Sequence, residues 1–184
     1  MKPKIIAEIG WNHMGDLSLA EKMIKSAKDS GCSTAKFQTW KVSNLVDGEW
    51  DNDGRREIYI NAELSYEKHV FLKNKCLENN IGFLSSAFSV EDAKLLLELG
   101  CDSIKIPSFE VNNIPLLNYC RNNFREIIIS TGTATEVEII ELKNLFKNWE
   151  GDLIVMHCVS AYPCEAKNIN LPRINHLKNY FKNV

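Results

Sequence analysis

Short apolar runs alternate with longer segments of helical periodicity along the whole sequence, and this alternation limits the possible folds more than any other feature. The predicted strands, rich in Ile and Val, are residues 4–9, 34–38, 82–85, 103–106, 126–130 and 152–158. The predicted helices are residues 18–30, 65–79, 89–99, 114–122, 135–149 and 171–181, and a long polar connection precedes the second helix. Because helices connect consecutive strands, the pattern predicts a parallel α/β sheet with helices on its faces.

Two architectures fit this repeat, a doubly wound open sheet and an eightfold barrel. A dinucleotide-binding doubly wound sheet carries Gly-x-Gly-x-x-Gly after its first strand, whereas residues 10–15 read Gly-Trp-Asn-His-Met-Gly. We therefore predict a TIM-type (β/α)8 barrel, of which six β/α units are present. A complete barrel has eight units and about 250 residues. We expect residues 1–184 to be the N-terminal part of a single barrel domain, with strands seven and eight absent from this chain.

Composition excludes several classes of function. The 184 residues include 22 Lys and Arg against 24 Asp and Glu, a net charge of −2, and no segment concentrates basic residues as a nucleic-acid partner would require. No apolar run approaches the roughly 20 residues that span a bilayer, and the first residues lack a signal pattern, so we predict a cytoplasmic protein without membrane association. The six cysteines form no Cys-x-x-Cys pair, and the four histidines do not cluster. Neither disulfides nor a zinc site are expected.

Polar residues lie at the carboxyl end of every predicted strand, where the active site of a TIM-type barrel is found. From the first strand to the sixth they are Glu8; Lys36 and Gln38; Ser85 and Ser86; Lys105 and Ser108; Ser130 and Thr131; and His157, Ser160 and Tyr162.

The two lysines narrow the chemistry further. Alternation along the strands points Lys36 and Lys105 to the same face, into the mouth of the barrel. A buried ammonium without a partner loses several kcal/mol of hydration, so three arrangements are possible. The lysines bind an anion carrying phosphate and carboxylate, they pair internally with Glu8 and Glu110, or one of them forms a Schiff base with a ketone. Their joint placement favours the anion.

The histidines have separate expected roles. His13 follows the first strand and should shape the loop there, while His69 and His176 lie on predicted helices and should face solvent. His157 ends the sixth strand, where it is either an acid-base group or a hydrogen-bonded core residue. The apolar strand favours the second.

Six motifs together resemble one known family, the N-acetylneuraminate (sialic acid) synthases, which include legionaminic and pseudaminic acid synthases. The motifs are Ile-Ala-Glu-Ile-Gly-Trp-Asn-His-Met-Gly at 6–15, Lys-Phe-Gln-Thr at 36–39, Phe-Leu-Ser-Ser-Ala-Phe at 83–88, Lys-Ile-Pro-Ser-Phe-Glu at 105–110, Ser-Thr-Gly at 130–132 and His-Cys-Val-Ser-Ala-Tyr-Pro at 157–163. The match covers essentially the whole chain. Ser-Phe-Glu looks like the pseudaminic branch and residues 157–163 like the sialic or legionaminic branches, so the sugar stays open.

The resemblance implies a transferase that condenses phosphoenolpyruvate with an N-acyl-hexosamine of the N-acetylmannosamine type, giving a nonulosonic (sialic-type) acid and phosphate. It assigns acid-base work or water orientation to Glu8. It places phosphoenolpyruvate on Lys36, Ser86, Lys105, Ser108, Ser130 and Ser160, and the sugar on Gln38, Glu110 and Tyr162.

The same resemblance implies parts that this chain does not contain. A divalent metal, Mn²⁺ or Mg²⁺, would have its ligands beyond residue 184, an antifreeze-like domain would follow, and the complete protein would be a homodimer. The chain alone is then expected to be inactive. Two alternatives are a non-catalytic anion-binding fragment and another phosphoenolpyruvate-dependent sugar acid synthase, of the deoxyheptulosonate type. The arginines argue against the latter, because a sugar phosphate would require them at the strand ends, whereas they fall in predicted loops and helices.

Overall fold

The computed structural model describes residues 3–184, in which six strands form a sheet in chain order. They are β1 Ile6–Gly10, β2 Thr34–Thr39, β3 Gly82–Ala87, β4 Ser103–Ile106, β5 Glu126–Ser130 and β6 Asp152–Met156. The pairs β1 with β2, β4 with β5 and β5 with β6 are parallel. The predicted parallel α/β architecture is therefore confirmed.

Helices connect these strands, as the repeat predicts. In the described part of the chain they are α1 Leu17–Asp29, α2 Arg55–Ala62, α3 Tyr66–Glu78, α4 Val90–Glu98, α5 Ile114–Asn123, α6 Glu136–Leu145 and α7 Arg173–Leu177. None of them is long and apolar enough to cross a membrane. Helix α2 lies in the segment predicted to be a polar connection, and it buries only Ala62. Its weak apolar face explains why helical periodicity does not reveal it.

The C-terminal part departs from prediction. Strand β6 ends at Met156, so His157 and Cys158 lie outside the sheet, and α7 is shorter than residues 171–181. After α7 the chain returns to the sheet, where the Asn183 carbonyl accepts a hydrogen bond from the Val155 N–H at 3.0 Å. Pairing of this segment with β6 competes with continuation of the helix.

The chain divides into two compact units, one ending at Ser86 and the other beginning at Ala87. In the first unit, α1 and α3 pack on β1 and β2. The fully buried side chains there include Ile24, Phe37 and Leu72, and each contributes about 2 kcal/mol through apolar burial. Gly31 ends α1 with a φ of +84°, the left-handed conformation predicted for a glycine after a helix.

In the second unit, β4 and β5 supply the centre of the core. Ile104, Ile106, Ile127 and Ile129 are all 0% exposed. Cys120 of α5 is also fully buried, and burial raises the pKa of its thiol to about 12, so it stays protonated and packs as a small apolar group. All six cysteines carry thiols rather than disulfides.

Candidate active site

In the first unit, three predicted site residues from three strands meet. Lys36 on β2 is 9% exposed, and its ammonium donates to Ser86 Oγ on β3 at 3.1 Å. It also forms an ion pair with Glu8, which the parallel register places beside it on β1. We call Glu8, Lys36 and Ser86 the Lys36 cluster. The internal pairing considered for this lysine is therefore present.

The ion pair leaves Lys36 able to bind a ligand anion, because the two side chains of the pair differ in exposure to water. The Glu8 side chain is 50% exposed, whereas that of Lys36 is 11% exposed. The carboxylate can be hydrated when another anion takes its place, while the ammonium is already largely removed from water. Folding has already removed the Lys36 ammonium from water, so binding of a ligand anion requires little further desolvation of this lysine.

The end of β1 brings a further predicted residue close to Glu8. The register of β1 against β2 shifts between Glu8 and Gly10, and Gly10 has a φ of +58°. A Cβ at Gly10 would lie 3.1 Å from Glu8 Oε1 and 3.5 Å from Gln38 Nε2. The amide oxygen of Gln38 accepts a hydrogen bond from the indole N–H of Trp40 at 3.4 Å. The Gln38 NH₂ group is the part of this amide that remains to donate to a ligand.

A buried polar network lies behind this cluster, and it contradicts the prediction that His69 faces solvent. His69 is 0% exposed, and its Nδ1 donates to the Ser65 carbonyl at 2.8 Å. Nε2 is then the acceptor of the neutral ring, so Thr39 Oγ1 donates to it at 2.8 Å and accepts from Ser85 Oγ at 2.7 Å. Burial lowers the pKa of His69, which favours this neutral form.

The spacing of α3 contained a signal for the burial of His69. Residues His69, Leu72 and Cys76 follow the spacing i, i+3, i+7, and all three lie on the buried face of the helix. A histidine on such a face is a satisfied core residue, and here it connects β2 and β3 through hydroxyl groups.

In the second unit, Lys105 lies on β4 and is 6% exposed. Its ammonium donates to Ser130 Oγ at 2.6 Å and to the Ile106 carbonyl at 2.8 Å. Ser130 Oγ also accepts a hydrogen bond from Cys158 Sγ at 3.2 Å. A hydroxyl oxygen with two donors has used both lone pairs, so its own hydrogen is left to donate elsewhere.

Two further serines approach the same segment at Gly132. The Gly132 N–H donates to Ser108 Oγ at 3.0 Å, and the Thr133 hydroxyl donates to the Ser108 carbonyl at 2.8 Å. A Cβ on Gly132 would lie only 2.7 Å from Ser160 Oγ and 3.1 Å from Ser108 Oγ. We call Lys105, Ser108, Ser130, Gly132 and Ser160 the Gly132 cluster. Cys158 and Thr133, which sequence reasoning did not select, support it.

The other predicted site residues of this unit have different surroundings. Glu110 accepts a hydrogen bond from the Asn113 amide at 2.6 Å, and Tyr162 is 97% exposed. Their proposed sugar contacts and the convergence of the two lysines stay predictions. His157 lies after β6, and its Nε2 donates to the Ile169 carbonyl at 2.7 Å. The ring is hydrogen-bonded as expected, but it is only partly buried and lies outside the sheet, so it is not the core residue that was predicted.

The remaining histidines agree with prediction. His13 Nδ1 accepts a hydrogen bond from the Gly15 N–H at 3.0 Å, and this contact shapes the loop after β1. His176 is exposed beside Glu136.

No group of three or more His, Cys, Asp or Glu side chains between residues 3 and 184 is arranged to hold a metal ion. The residues present do not fit a metal centre, so no chemical step is assigned to a metal here. The divalent metal implied by the family resemblance stays a prediction.

Comparison with known proteins identifies close relatives. A family model described as the NeuB family matches residues 23–184. The N,N'-diacetyllegionaminic acid synthase of Campylobacter jejuni is 36% identical over an alignment of 195 residues. This alignment covers 98% of this chain and 58% of the relative. A pseudaminic acid synthase of the same species is 34% identical over 189 residues, covering 96% of this chain and 55% of the relative. The chain thus spans about half the length of these curated relatives.

Two solved structures are also similar to this chain. An N-acetylneuraminic acid synthetase from Leptospira borgpetersenii, in complex with citrate, matches with a TM-score of 0.87 and 33% identity, covering 99% of this chain and 63% of that one. A truncated 3-deoxy-D-arabino-heptulosonate 7-phosphate synthase from Thermotoga maritima has a TM-score of 0.68 at 12% identity, covering 95% of this chain and 59% of that one. The latter shows a shared fold alone. The predicted fold class, six β/α units of a TIM-type barrel, is confirmed.

Proposed function

Because the chain belongs to the NeuB family, we propose that the complete protein is a transferase that condenses phosphoenolpyruvate with an N-acyl-hexosamine, releasing phosphate and forming a nonulosonic acid. The observation that carries this proposal is the state of the serines around Lys105. Ser130 and Ser108 both accept hydrogen bonds from protein donors, so their hydroxyl hydrogens are available to an acceptor. An ammonium with several hydroxyl donors suits a phosphate or carboxylate.

We assign the phosphoenolpyruvate contacts to two groups of residues. Lys36 and Ser86 form one, and the other comprises Lys105, Ser108, Ser130 and Ser160. Both lysines lie at strand ends and are largely removed from water, where charge-assisted hydrogen bonds are stronger than in bulk solvent. Gln38, Glu110 and Tyr162 are assigned to the sugar.

The proposed reaction forms a carbon–carbon bond to the sugar and a carbon–oxygen bond to water, and it breaks the carbon–oxygen bond to phosphate, which leaves with the proton of the new hydroxyl group. Carbon 3 of phosphoenolpyruvate attacks the sugar aldehyde, whose oxygen takes up a proton, and carbon 2 becomes cationic and adds water. The tetrahedral intermediate expels phosphate by cleavage of the bond between carbon 2 and oxygen, leaving the 2-keto acid. We assign Glu8 to orient the water and take its proton, because its carboxylate is half exposed beside Lys36. Holding a dense anion beside an aldehyde is largely a task of proximity and electrostatics.

Phosphate release tests the proposed function. The complete protein is incubated with phosphoenolpyruvate, Mn²⁺ and either N-acetylmannosamine or one of its diacetamido relatives. We expect phosphate release with one of these sugars, and that sugar identifies the branch, which the similar identities of 36% and 34% do not distinguish. Absence of release with every sugar would contradict the proposal.

Two further measurements separate the alternatives. Titration of phosphoenolpyruvate into the 184-residue chain by calorimetry should show binding. The same chain supplied with both substrates should release no phosphate. Borohydride treatment in the presence of substrate should leave Lys36 and Lys105 unmodified, whereas a Schiff-base mechanism would give a covalent adduct on one of them.

The family resemblance also suggests the location, the metal requirement and the oligomeric state of the complete protein. We propose that it acts in the cytoplasm, uses a divalent metal and forms a homodimer. Chelation should abolish phosphate release by the complete protein, and added Mn²⁺ should restore it. Sedimentation of the complete protein should give the mass of a dimer.

A further inference from the structure

Four aromatic side chains form one cluster next to the carboxyl ends of β1 and β2. Tyr59 of α2 is its centre, with ring centroids 5.5 Å from Trp11, 5.9 Å from Trp40 and 5.5 Å from Trp50. Trp11 follows β1 directly, and Trp40 follows β2 directly. We call these four residues the aromatic wall.

The aromatic wall is not part of the buried core. All four rings are only partly buried, whereas Phe37 within the core is 0% exposed. Helix α2, which carries Tyr59, contributes only Ala62 to buried structure. The helix therefore does little for the core and places a tyrosine ring among three indoles. A contiguous aromatic surface left open to water is typical of a ligand-binding surface.

One hydrogen bond and one neighbouring position in the chain connect the wall to the residues at the ends of β1 and β2. The indole N–H of Trp40 donates to Gln38 Oε1 at 3.4 Å. Trp11 adjoins Gly10, whose Cβ position would contact both Glu8 and Gln38. The Trp40 hydrogen bond thus joins the wall to Gln38 within the first unit.

Charge limits the kind of ligand that the wall accepts. Arg56 stacks on the Trp50 ring at 5.4 Å from its centroid and forms an ion pair with Asp51. The arginine charge at this edge is thus paired within the protein, and the faces of the other rings are neutral and apolar. The surface suits a neutral ligand with apolar C–H groups better than an anion.

We propose that the aromatic wall is a specificity subsite that stacks on the apolar C–H face of the N-acylated sugar, while the Gln38 NH₂ group donates to the acyl carbonyl. This inference rests on the proposed function, because it takes the sugar of that reaction as its ligand. The Trp40 contact with Oε1 orients the Gln38 amide so that its nitrogen faces the ligand. An unacylated sugar would lose this hydrogen bond.

Tryptophan fluorescence reports on the wall directly, because three of the four tryptophans of the chain belong to it. The fourth, Trp149, packs on Phe146 and donates to the Arg121 carbonyl. In W149F the three indoles of the wall supply all the tryptophan emission of residues 1–184, and comparison of W11F with wild type shows which part of the emission change of the complete protein comes from the wall. Titrating N-acetylmannosamine into the complete protein should change the emission saturably, and mannose should change it at least tenfold more weakly. Unchanged emission at sugar concentrations that saturate turnover would overturn the proposal.

Steady-state kinetics provides the second readout. W11L should raise the KM for the sugar about tenfold and leave the KM for phosphoenolpyruvate within twofold, because the wall contacts the sugar alone. W11F, which keeps an aromatic ring, should recover most of the affinity for the sugar, and W149F should match wild type. Equal changes in both KM values, or a change only in the thermal midpoint, would contradict the subsite. Failure of the wild-type protein to release phosphate with any sugar would instead refute the proposed function.

Discussion

Gly132 is the residue that brings the serines of the second unit together. Its N–H binds Ser108, and the space that a side chain would need is taken by Ser160 Oγ at 2.7 Å from the Cβ position. Its φ lies outside the left-handed region, so an alanine there would be opposed by these hydroxyls rather than by backbone strain. The lack of a side chain at this position allows two hydroxyls to converge.

We therefore expect G132A to lower kcat/KM for phosphoenolpyruvate about a hundredfold, since displacing the serines by a fraction of an ångström spoils the anion contacts. Phosphate release by the complete protein measures this, with the thermal midpoint as the check on folding. The double variant G132A/S160A, which removes the closest hydroxyl, should fold at least as well as G132A. Wild-type kinetics in G132A would contradict the role of Gly132.

The charge of Lys105 can be tested at the same scale. K105M keeps most of the side-chain volume and removes the ammonium that donates to Ser130. We expect phosphoenolpyruvate to bind about a hundredfold more weakly, as when one member of a buried charged hydrogen bond is lost. Calorimetric titration gives the affinity. K167M is the matched control, because the Lys167 side chain is 76% exposed. Equal affinities in both variants would argue against an anion site at Lys105.

At the scale of elements, helix α6 starts directly after the loop that carries Gly132, and its first turn is held by a reciprocal cap. Thr135 Oγ1 accepts from the Glu138 N–H at 3.3 Å, and the Glu138 carboxylate accepts from the Thr135 N–H at 2.7 Å. These hydrogen bonds lower the pKa of Glu138. The cap positions the end of the loop relative to the helix.

T135A should lower the free energy of unfolding by about 1 kcal/mol, because the α6 N-terminus loses its side-chain acceptor. Urea unfolding of the 184-residue chain measures the difference, and T135S, which retains the hydroxyl, should stay close to wild type. A T135A curve identical to wild type would show that the cap contributes nothing in this context.

Element ends also show where sequence reasoning succeeded and failed. Strands β4 and β5 have the predicted bounds, because Pro107 follows the first of them directly and Ser130 ends the apolar run of the second. Helix α6 ends at Leu145 instead of Trp149, and β6 ends at Met156. After α6 the apolar pattern continues while the backbone turns, since Trp149 packs on Phe146 and donates to the Arg121 carbonyl from outside the helix. Such contacts between distant segments are invisible to local periodicity.

At the scale of the whole molecule, stability should depend on pH through two buried histidines. Burial is the largest cause that lowers the pKa of His13 and of His69 below the ordinary value of 6.5. Below pH 6.5 the unfolded chain therefore binds more protons than the folded chain. The free energy of unfolding must then fall as the pH falls through this window, by at most about 1.4 kcal/mol per pH unit for each histidine.

Urea unfolding between pH 8 and pH 5 checks this dependence. H69Q should show a shallower loss of stability than wild type, because one of the two titrating groups is absent. L72V is the matched control: it weakens the same buried face of α3 without removing a titrating group, so its stability should be lower by a constant amount at every pH. Parallel curves for H69Q and wild type would contradict the assignment to His69.

The amino-acid sequence by itself determined the order of the strands and of every α-helix except α2, and it determined which residues lie at the strand ends. Both follow from hydrophobic period and from helix caps, such as Ser89 at the start of α4 and Gly31 after α1, which act within a few residues along the chain. The motifs at those strand ends sufficed to predict the family. Lys36, Ser86, Lys105 and Ser130 were all identified in this way.

Only the tertiary structure decided what each of these side chains contacts. Lys36 meets Glu8 and Ser86, which are 28 and 50 residues away in the sequence, and His69 is buried against Thr39 and Ser85. The aromatic wall likewise joins Trp11 to Tyr59, which are separated in the sequence by α1 and β2. Strand register and packing between distant segments set these distances, and neither leaves a local pattern in the sequence.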